Sequence, residues 1–155
     1  MKTLFWDLKD NERGTYLDQA AKLIQAGEVI AFPTETVYGL GADGLNGEAV
    51  AKIFAAKGRP ADNPLILHIA DKKELDRLAV NLSANAPALV ATFWPGPLTI
   101  IVEKSSIIPD EVTTGLSTVA IRMPSHPVAA EFIRRCGCPI AAPSANLSGK
   151  PSPTT

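Results

Sequence analysis

Arg122 is the residue of this sequence whose position most needs a chemical explanation. It lies in the apolar segment TVAIRM, residues 118–123, which is typical of a buried strand. A guanidinium buried without a partner is energetically costly, so Arg122 must either reach the wet face of a sheet or meet an anion. Because arginine binds carboxylate and phosphate groups through paired hydrogen bonds, an anion at this strand is one of the two outcomes that the segment predicts.

A second polar segment, PTETVYGLG at residues 33–41, directly follows another apolar run. Proline cannot donate to a sheet ladder, and glycine permits backbone shapes and close approaches that other residues resist. Loops of this kind at strand ends often hold polar groups towards a ligand. The groups here are Thr34, Glu35, Thr36 and Tyr38. An ordinary connector between a strand and a helix would have the same composition.

Further cations and small polar residues lie within or at the ends of other predicted elements. They are Lys57, Arg59, Asn63, His68, Ser144, Asn146, Ser148, Lys150 and Ser152. Each has a simpler explanation: a lysine complements the dipole at a helix end, an arginine suits a solvated loop, a histidine in an apolar strand is often a core residue, and Ser-Ala-Asn suits a turn. Together, cations, hydroxyls and amides at neighbouring strand ends predict a pocket for an anionic ligand with several oxygens.

The sequence lacks the motifs of several enzyme classes. It has no GxxxxGK[ST] or GxGxxG loop, so the phosphates of a bound nucleotide would be held by side chains. It has only two histidines and no GxSxG segment, which disfavours a serine or cysteine triad. No protein-bound metal is predicted, although Glu35 or Asp62 would be able to touch a magnesium ion carried by a phosphate ligand.

Length and composition predict one ordinary globular domain over residues 1–155. The formal net charge of −1 excludes a uniformly basic coat for nucleic acid but permits a local basic pocket. No apolar run approaches the ~18 residues of a membrane span, and the acids close behind the N-terminus are unlike a signal peptide. Cys136 and Cys138 are too few for a disulfide scaffold, so we expect a cytoplasmic protein.

Hydrophobic periodicity and capping signals predict alternating helices and strands. The predicted helices are 15–25, 46–58, 71–79, 83–94 and 127–135. The predicted strands are 28–32, 64–70, 98–102, 118–123 and 138–142. Asp71 and Glu74 are expected to form a capping box. The alternation predicts an α/β fold with helices on both faces of the sheet, and the segment Trp94-Pro95-Gly96-Pro97 suits a sharp connection that makes some neighbouring strands antiparallel.

Five motifs, in order, resemble those of YrdC-type threonylcarbamoyl-AMP synthases. They are PTETVYGLG, KGRPADNPLILHI, WPGPLTII, STVAIRMP and APSANLSGKPSPT, and the similarity extends from about residue 15 to the last residue. The resemblance implies an open, twisted, mixed sheet around a deep cationic cavity. It also implies condensation of L-threonine, bicarbonate or carbon dioxide, and ATP into threonylcarbamoyl-AMP and diphosphate. Downstream threonylcarbamoyl-transferase machinery would then modify adenosine 37 of tRNAs that read ANN codons.

By the same resemblance, the motif residues divide between two subsites. Thr36, His68 and Arg122 would bind threonine, with Arg122 on its carboxylate. The ATP site would comprise Lys57, Arg59, Asn63, Thr118, Ser144, Asn146 and Ser152. Lys57 and Arg59 would be catalytic and stabilise charge on the transferred phosphate and diphosphate, since the carbamate formed by threonine itself supplies the nucleophile. ATP is expected to arrive with Mg²⁺.

Family members continue for several dozen residues beyond the SPT segment, and some carry a second C-terminal domain. The resemblance therefore implies that this chain is C-terminally shortened. Two alternatives remain open. One is a module that binds double-stranded RNA or tRNA without catalysis of its own. The other keeps the fold but forms carbamoyl-adenylate from carbamoyl phosphate, as related domains of carbamoyltransferases do.

Overall fold

The computed structural model describes residues 2–9, 11–58, 60–61 and 63–155, along which helices and strands alternate. The helices are α1 Arg13–Gln25, α2 Gly47–Lys57, α3 Glu74–Leu78, α4 Ala86–Phe93, α5 Asp110–Thr113 and α6 Pro127–Cys136. The strands are β1 Ile30–Phe32, β2 Gly39–Asp43, β3 Ile66–His68, β4 Ala79–Val80, β5 Thr99–Lys104, β6 Thr118–Arg122 and β7 Ile140–Ala142. None of the described helices combines the length and the apolar character needed to span a bilayer.

The strands form one mixed sheet in the order β1-β2-β7-β3-β6-β5-β4. Strands β3 and β6 run parallel, and the other described pairs are antiparallel. The predicted combination of parallel and antiparallel strands is therefore confirmed. Since β3 and β6 run in the same direction, His68 and Arg122 meet in register at their carboxyl ends.

Two hydrophobic clusters hold helices against opposite faces of this sheet. Strand β7 contributes to both, because Ala141 packs in the cluster that includes side chains of α2 to α5, whereas Ile140 and Ala142 pack with α1 and α6. Successive side chains of a strand point to opposite faces, so helices cover both sides of the sheet. This confirms the predicted architecture.

Helix α2 shows how local sequence positions a site residue. The side chain of Asn46 accepts hydrogen bonds from the backbone N–H of Glu48 and of Ala49, at 3.1 and 3.2 Å, and so caps the first turn. Gly58 ends the helix in the left-handed region at φ 60°. Both signals are predicted from the sequence, and they place Lys57 in the last turn.

One half of the sheet face that carries α1 and α6 is more exposed. These helices pack over β1, β2 and β7, whereas the side chains of β3, β5 and β6 on the same face form what we call the open face. The open face comprises Ile66, Thr99, Ile101, Glu103, Thr118 and Ala120, which the strand registers bring together. Ile101 is 73% exposed there. Arg122 lies on the same face, one pleat beyond Ala120.

Strand β2 is the main departure from the sequence-based prediction, which placed a loop over 33–41. A β-carbon on Gly41 would lie 2.5 Å from Cγ2 of Ile140 and 2.8 Å from Cε1 of Phe32. Only glycine therefore allows β2 to lie this close to the side chains of its neighbours. The requirement for glycine at position 41 therefore comes from close packing in the sheet and not from a turn.

The predicted helix 71–79 is wrong in its bounds and in its cap. Asp71 accepts a hydrogen bond from Lys73 N at 2.9 Å ahead of α3, and the carboxylate of Glu74 pairs with Arg77 at 2.8 Å, so the expected capping box does not form. The chain leaves the helix at Ala79 to form β4. The short elements β4 and α5 are not predicted, helix α4 begins later than predicted, and β1, β3 and β7 are shorter than predicted.

Candidate active site

Arg122 is buried at the end of β6, with only 7% of its surface exposed, and each of its three side-chain nitrogens has a partner. Nε donates to the carbonyl oxygen of Gly96 at 3.1 Å, and Nη1 donates to Oγ1 of Thr36 at 3.2 Å. Nη2 forms an ion pair with Glu35. The anion predicted for this strand is therefore an acid of the same chain, which the loop between β1 and β2 supplies.

The other carboxylate oxygen of Glu35 contacts Ser125. It accepts hydrogen bonds from Ser125 N, at 2.5 Å, and from the hydroxyl of the same residue. Burial opposes ionisation of Glu35, but the hydrogen bonds from Ser125 and the charge of Arg122 outweigh it, so the pKa of Glu35 lies below its ordinary value. Glu35 is thus an ionised partner shared by Arg122 and Ser125 at neutral pH.

His68 lies beside Arg122 and is buried, as expected for a core histidine. Its Nδ1 is 3.1 Å from the carbonyl oxygen of Ile66 and 3.3 Å from that of Ile140. Because a carbonyl oxygen can only accept, Nδ1 carries the proton, and Nε2 is left as a hydrogen-bond acceptor. Burial, together with the positive charge of Arg122, lowers the pKa of His68 to about 4. The ring is therefore neutral at physiological pH.

Lys57 joins the end of α2 to the loop after β7. It is only 5% exposed, and its Nζ donates to the carbonyl oxygen of Ser144. In the other direction, Ser148 N donates to the carbonyl oxygen of Lys57 at 3.3 Å. Lys57 therefore does more than complement the dipole of its helix, because it also fixes the loop in which the Ser-Ala-Asn segment lies.

Asn146 is the centre of that loop. Its Nδ2 donates to the carbonyl oxygens of Leu147 and Lys150 at 3.0 and 2.9 Å. Its Oδ1 accepts from the hydroxyls of Ser144 and, at 3.4 Å, Ser152. The amide can make four hydrogen bonds, and all four are made within the chain. In this structure Asn146 therefore shapes the loop and is a positioning residue.

Lys57, Ser144 and Asn146 form what we call the Lys57 group. The loop between β1 and β2 connects this group to Arg122. Thr36 contacts Arg122, while the backbone of Tyr38 donates to the carbonyl of Pro153 at 2.9 Å and accepts from Ala145 N at 2.8 Å. Gly39 and Ser144 form an isolated bridge beside them. One short loop therefore touches both groups of candidate residues.

The remaining candidates lie farther away or outside the described residues. Thr118 is at the opposite end of β6 from Arg122, about 13 Å along the strand but on the same face. Asn63 is exposed in the link between α2 and β3. Arg59 and Asp62 lie outside the described residues.

Two surface depressions of the described structure lie away from this site. Depressions of about 380 Å³ beside Phe54 and Glu111, and of about 350 Å³ beside Asp71 and Arg134, include none of the candidate residues. We place the site by its chemistry. Over the described part of the chain, no three His, Cys, Asp or Glu side chains are grouped so that they could hold a metal ion.

The cysteines are unsuited to nucleophilic catalysis. Cys136 and Cys138 are free thiols. Burial, with a smaller effect of the nearby acid Asp43, raises the pKa of Cys136 to about 12 and raises that of Cys138 as well. Neither forms an appreciable fraction of thiolate at neutral pH.

Sequence reasoning misses two contributors to the Arg122 group. Ser125 lies in the short link between β6 and α6, which has no distinguishing pattern, and Gly96 contributes only its backbone carbonyl. Glu35 is identified from the sequence, but as a group that could touch magnesium. Its pairing with Arg122 spans 87 residues, and no local signal reports it.

The family model Sua5_yciO_yrdC, described as "Telomere recombination", matches residues 22–155. The chain belongs to this family. The resemblance inferred from the five motifs is therefore confirmed.

Named relatives in this family are threonylcarbamoyl-AMP synthases. The synthase of Pyrococcus abyssi is 57% identical over 136 residues, which cover 88% of this chain and 40% of the relative. That of Bacillus subtilis is 55% identical over 159 residues, covering 99% of this chain and 46% of the relative. This chain thus spans less than half the length of these relatives.

Solved structures of the family share the fold. A double variant of Sua5 from P. abyssi superposes with a TM-score of 0.97 at 51% identity, covering 99% of this chain and 47% of that one. The crystal structure of P. abyssi Sua5 complexed with L-threonine gives a TM-score of 0.88 at 55% identity, covering 90% and 41%.

Proposed function

We propose that this chain is the synthase domain of a threonylcarbamoyl-AMP synthase. It would condense L-threonine, bicarbonate or carbon dioxide, and ATP into threonylcarbamoyl-AMP and diphosphate for modification of tRNA at adenosine 37. The observation that carries the proposal is the contact of Thr36 with Arg122, beside His68, in a chain 57% identical to a named synthase. A related protein, P. abyssi Sua5, has been crystallised with L-threonine.

The chemistry of the Arg122 group suits a hydroxy amino acid. The guanidinium of Arg122 is a partner for a carboxylate, which it can bind through two hydrogen bonds. Neutral His68 offers Nε2 as an acceptor for a hydroxyl proton, and the hydroxyl of Thr36 can donate or accept. A ligand that carries both a carboxylate and a hydroxyl, as threonine does, would satisfy these groups together.

The Lys57 group supports the ATP side of the proposal. Lys57 and Arg59 would neutralise phosphate charge, and the loop shaped by Asn146 would hold the nucleotide. The amine of threonine adds to carbon dioxide to give a carbamate. A carbamate oxygen then attacks the α-phosphorus of ATP, and the bond to the departing diphosphate breaks. Positioning and charge stabilisation suffice for this step, and Mg²⁺ carried by ATP would neutralise part of the phosphate charge.

Release of diphosphate from ATP tests the proposal when threonine and bicarbonate are each omitted in turn. We expect release to require both. Arg122→Gln should lower kcat/KM for threonine by about tenfold to a hundredfold, because it removes charge-assisted hydrogen bonds. Arg134→Gln is the matched control, since Arg134 is an exposed arginine of α6 that pairs with Glu131, and it should retain activity.

Two results would count against the synthase function. Release that ignored both omissions would show that ATP is hydrolysed without condensation. Binding of double-stranded RNA with a steep dependence on salt, and without threonine-dependent release, would favour the RNA-binding alternative.

A further inference from the structure

Glu35 occupies the position on Arg122 that an external carboxylate would need. Its side chain is 22% exposed, and that of Arg122 is 9% exposed. Nη2 of Arg122 pairs with one oxygen of Glu35, while the other oxygen accepts two hydrogen bonds from Ser125. The guanidinium therefore already has a carboxylate partner before a ligand arrives.

The remaining donors of Arg122 do not offer an unoccupied edge. A carboxylate that binds arginine in the paired geometry contacts two neighbouring nitrogens. Here Nε is engaged by Gly96, Nη1 by Thr36 and Nη2 by Glu35. A second carboxylate brought to the leftover N–H groups would also lie beside the negative charge of Glu35, and like charges at such short range repel.

We propose that Glu35 is an internal competitor that a ligand carboxylate must displace from Arg122. This inference rests on the proposed function, in which that ligand is L-threonine. Ser125 makes the exchange feasible, because its N–H and hydroxyl can retain Glu35 after the ion pair is broken. Glu35 lies in the loop between β1 and β2, whose residues 35 and 36 are exposed, so the side chain can move without disturbing the core.

The exchange has a consequence for affinity. A ligand that carries a carboxylate replaces one ion pair of Arg122 by another. A ligand without one, such as L-threoninol, cannot replace Glu35 and does not bind Arg122. Glu35 thereby lowers the apparent affinity only for ligands that carry a carboxylate, because such a ligand has to break the ion pair between Glu35 and Arg122.

Calorimetric titration of wild type and Glu35→Gln with L-threonine and with L-threoninol tests the proposal. Glutamine keeps the shape but removes the competing charge, so the Kd for L-threonine should fall by about tenfold. The already weak binding of L-threoninol should change little. Ser125→Ala should shift the Kd for L-threonine in the opposite direction by a smaller factor, because the displaced Glu35 loses the hydroxyl that helps to retain it while the N–H of residue 125 remains. Glu131→Gln, at a half-buried acid of α6 that pairs with Arg134 and Arg135, is the matched control and should bind as wild type does.

Amide hydrogen exchange supplies a second measurement on the unaltered protein. Binding of L-threonine should speed exchange within residues 35–37 if Glu35 leaves Arg122. Because this measurement uses only the wild type, it tests the displacement of Glu35 even if a variant fails to fold. Unchanged or slower exchange in the threonine-bound wild type would overturn the proposal.

The outcomes separate this inference from the proposed function. Threonine that bound wild type, and bound Glu35→Gln equally or more weakly, would overturn the exchange while leaving the proposed function intact. Weaker binding would mean that Glu35 contacts the ligand, for example its ammonium group. Threonine that bound neither protein would contradict the proposed function and would overturn the exchange with it.

Discussion

His68 is held against two backbone carbonyls and beside a guanidinium, so protonation of its ring is unfavourable in the folded state. Its pKa falls from the ordinary value of 6.5 to about 4 on folding. Above pH 6.5 the ring is neutral in both states. Between pH 6.5 and 4 the unfolded chain binds a proton that the folded chain does not, so the free energy of unfolding decreases as the pH falls.

This shift predicts a loss of about 2 kcal/mol in the free energy of unfolding between pH 7.5 and pH 5. Urea titrations at the two pH values measure it. Glu35, with a pKa below its ordinary value, titrates outside this window. His68→Asn removes the titrating group and should show a smaller difference between the two pH values. A wild type equally stable at both would contradict the assigned state of His68.

Lys57 is the residue whose replacement should separate catalysis from packing. Lys57→Met keeps an apolar stem of similar length, so the free energy of unfolding of the variant should be only modestly lower than that of wild type. We expect it to lower diphosphate release by at least about a hundredfold at saturating ATP, because the phosphates lose a positive charge. Lys52→Met is the matched control, since Lys52 lies on the same helix, is 49% exposed and pairs with Glu28. Turnover by Lys57→Met equal to that of Lys52→Met would contradict the role of Lys57.

At the scale of elements, the loop over residues 144–153 depends on Asn146. Asn146→Ala removes all four side-chain hydrogen bonds at the centre of the loop. The amides of Ser148 and Lys150 should then exchange with solvent faster, and the KM for ATP should rise several-fold. Asn146→Asp keeps the acceptor but loses both donors, so it should have an intermediate effect. Exchange at these amides unchanged in Asn146→Ala would show that the loop is held by other contacts.

Strand β2 predicts a contrast between two glycines. Gly41→Ala should lower the free energy of unfolding by about 1–3 kcal/mol, because the new methyl group would overlap Ile140 and Phe32. Gly14→Ala should instead raise it by up to about 1 kcal/mol, because Gly14 lies within α1 and alanine is the better helix former. Thermal unfolding of both variants measures the difference. A Gly41→Ala protein as stable as wild type would contradict the close packing of β2.

Elements with local signals could be predicted from the sequence, and those defined by their neighbours could not. Helix α2 is predicted at both ends because Asn46 and Gly58 act on the backbone next to them. Strand β2 is missed because its sequence, GLGAD, has low strand propensity, and its glycines make sense only beside Ile140 and Phe32. Tertiary packing overrides local preference there.

At the scale of the whole molecule, the candidate site depends on contacts between distant parts of the chain. The motifs predict one threonine site for Thr36 and Arg122, and the two side chains are in contact. The motifs do not reveal that Glu35 pairs with Arg122 or that Lys57 holds Ser144. These pairs span 87 residues each, so only the folded sheet brings them together. The cationic cavity, the part played by Arg59, the accompanying Mg²⁺ and the cytoplasmic location stay predictions.

Direct detection of the product tests the central claim most sharply. The chain is incubated with ATP, Mg²⁺, L-threonine and bicarbonate labelled with carbon-13, and the nucleotides are separated and analysed by mass spectrometry. We predict an adenylate that contains threonine and carries the carbon-13 label, and that forms about tenfold to a hundredfold more slowly in Arg122→Gln and at the wild-type rate in Arg134→Gln. Formation of AMP or ADP alone, with no labelled threonylcarbamoyl-adenylate from a folded protein, would contradict the proposed reaction.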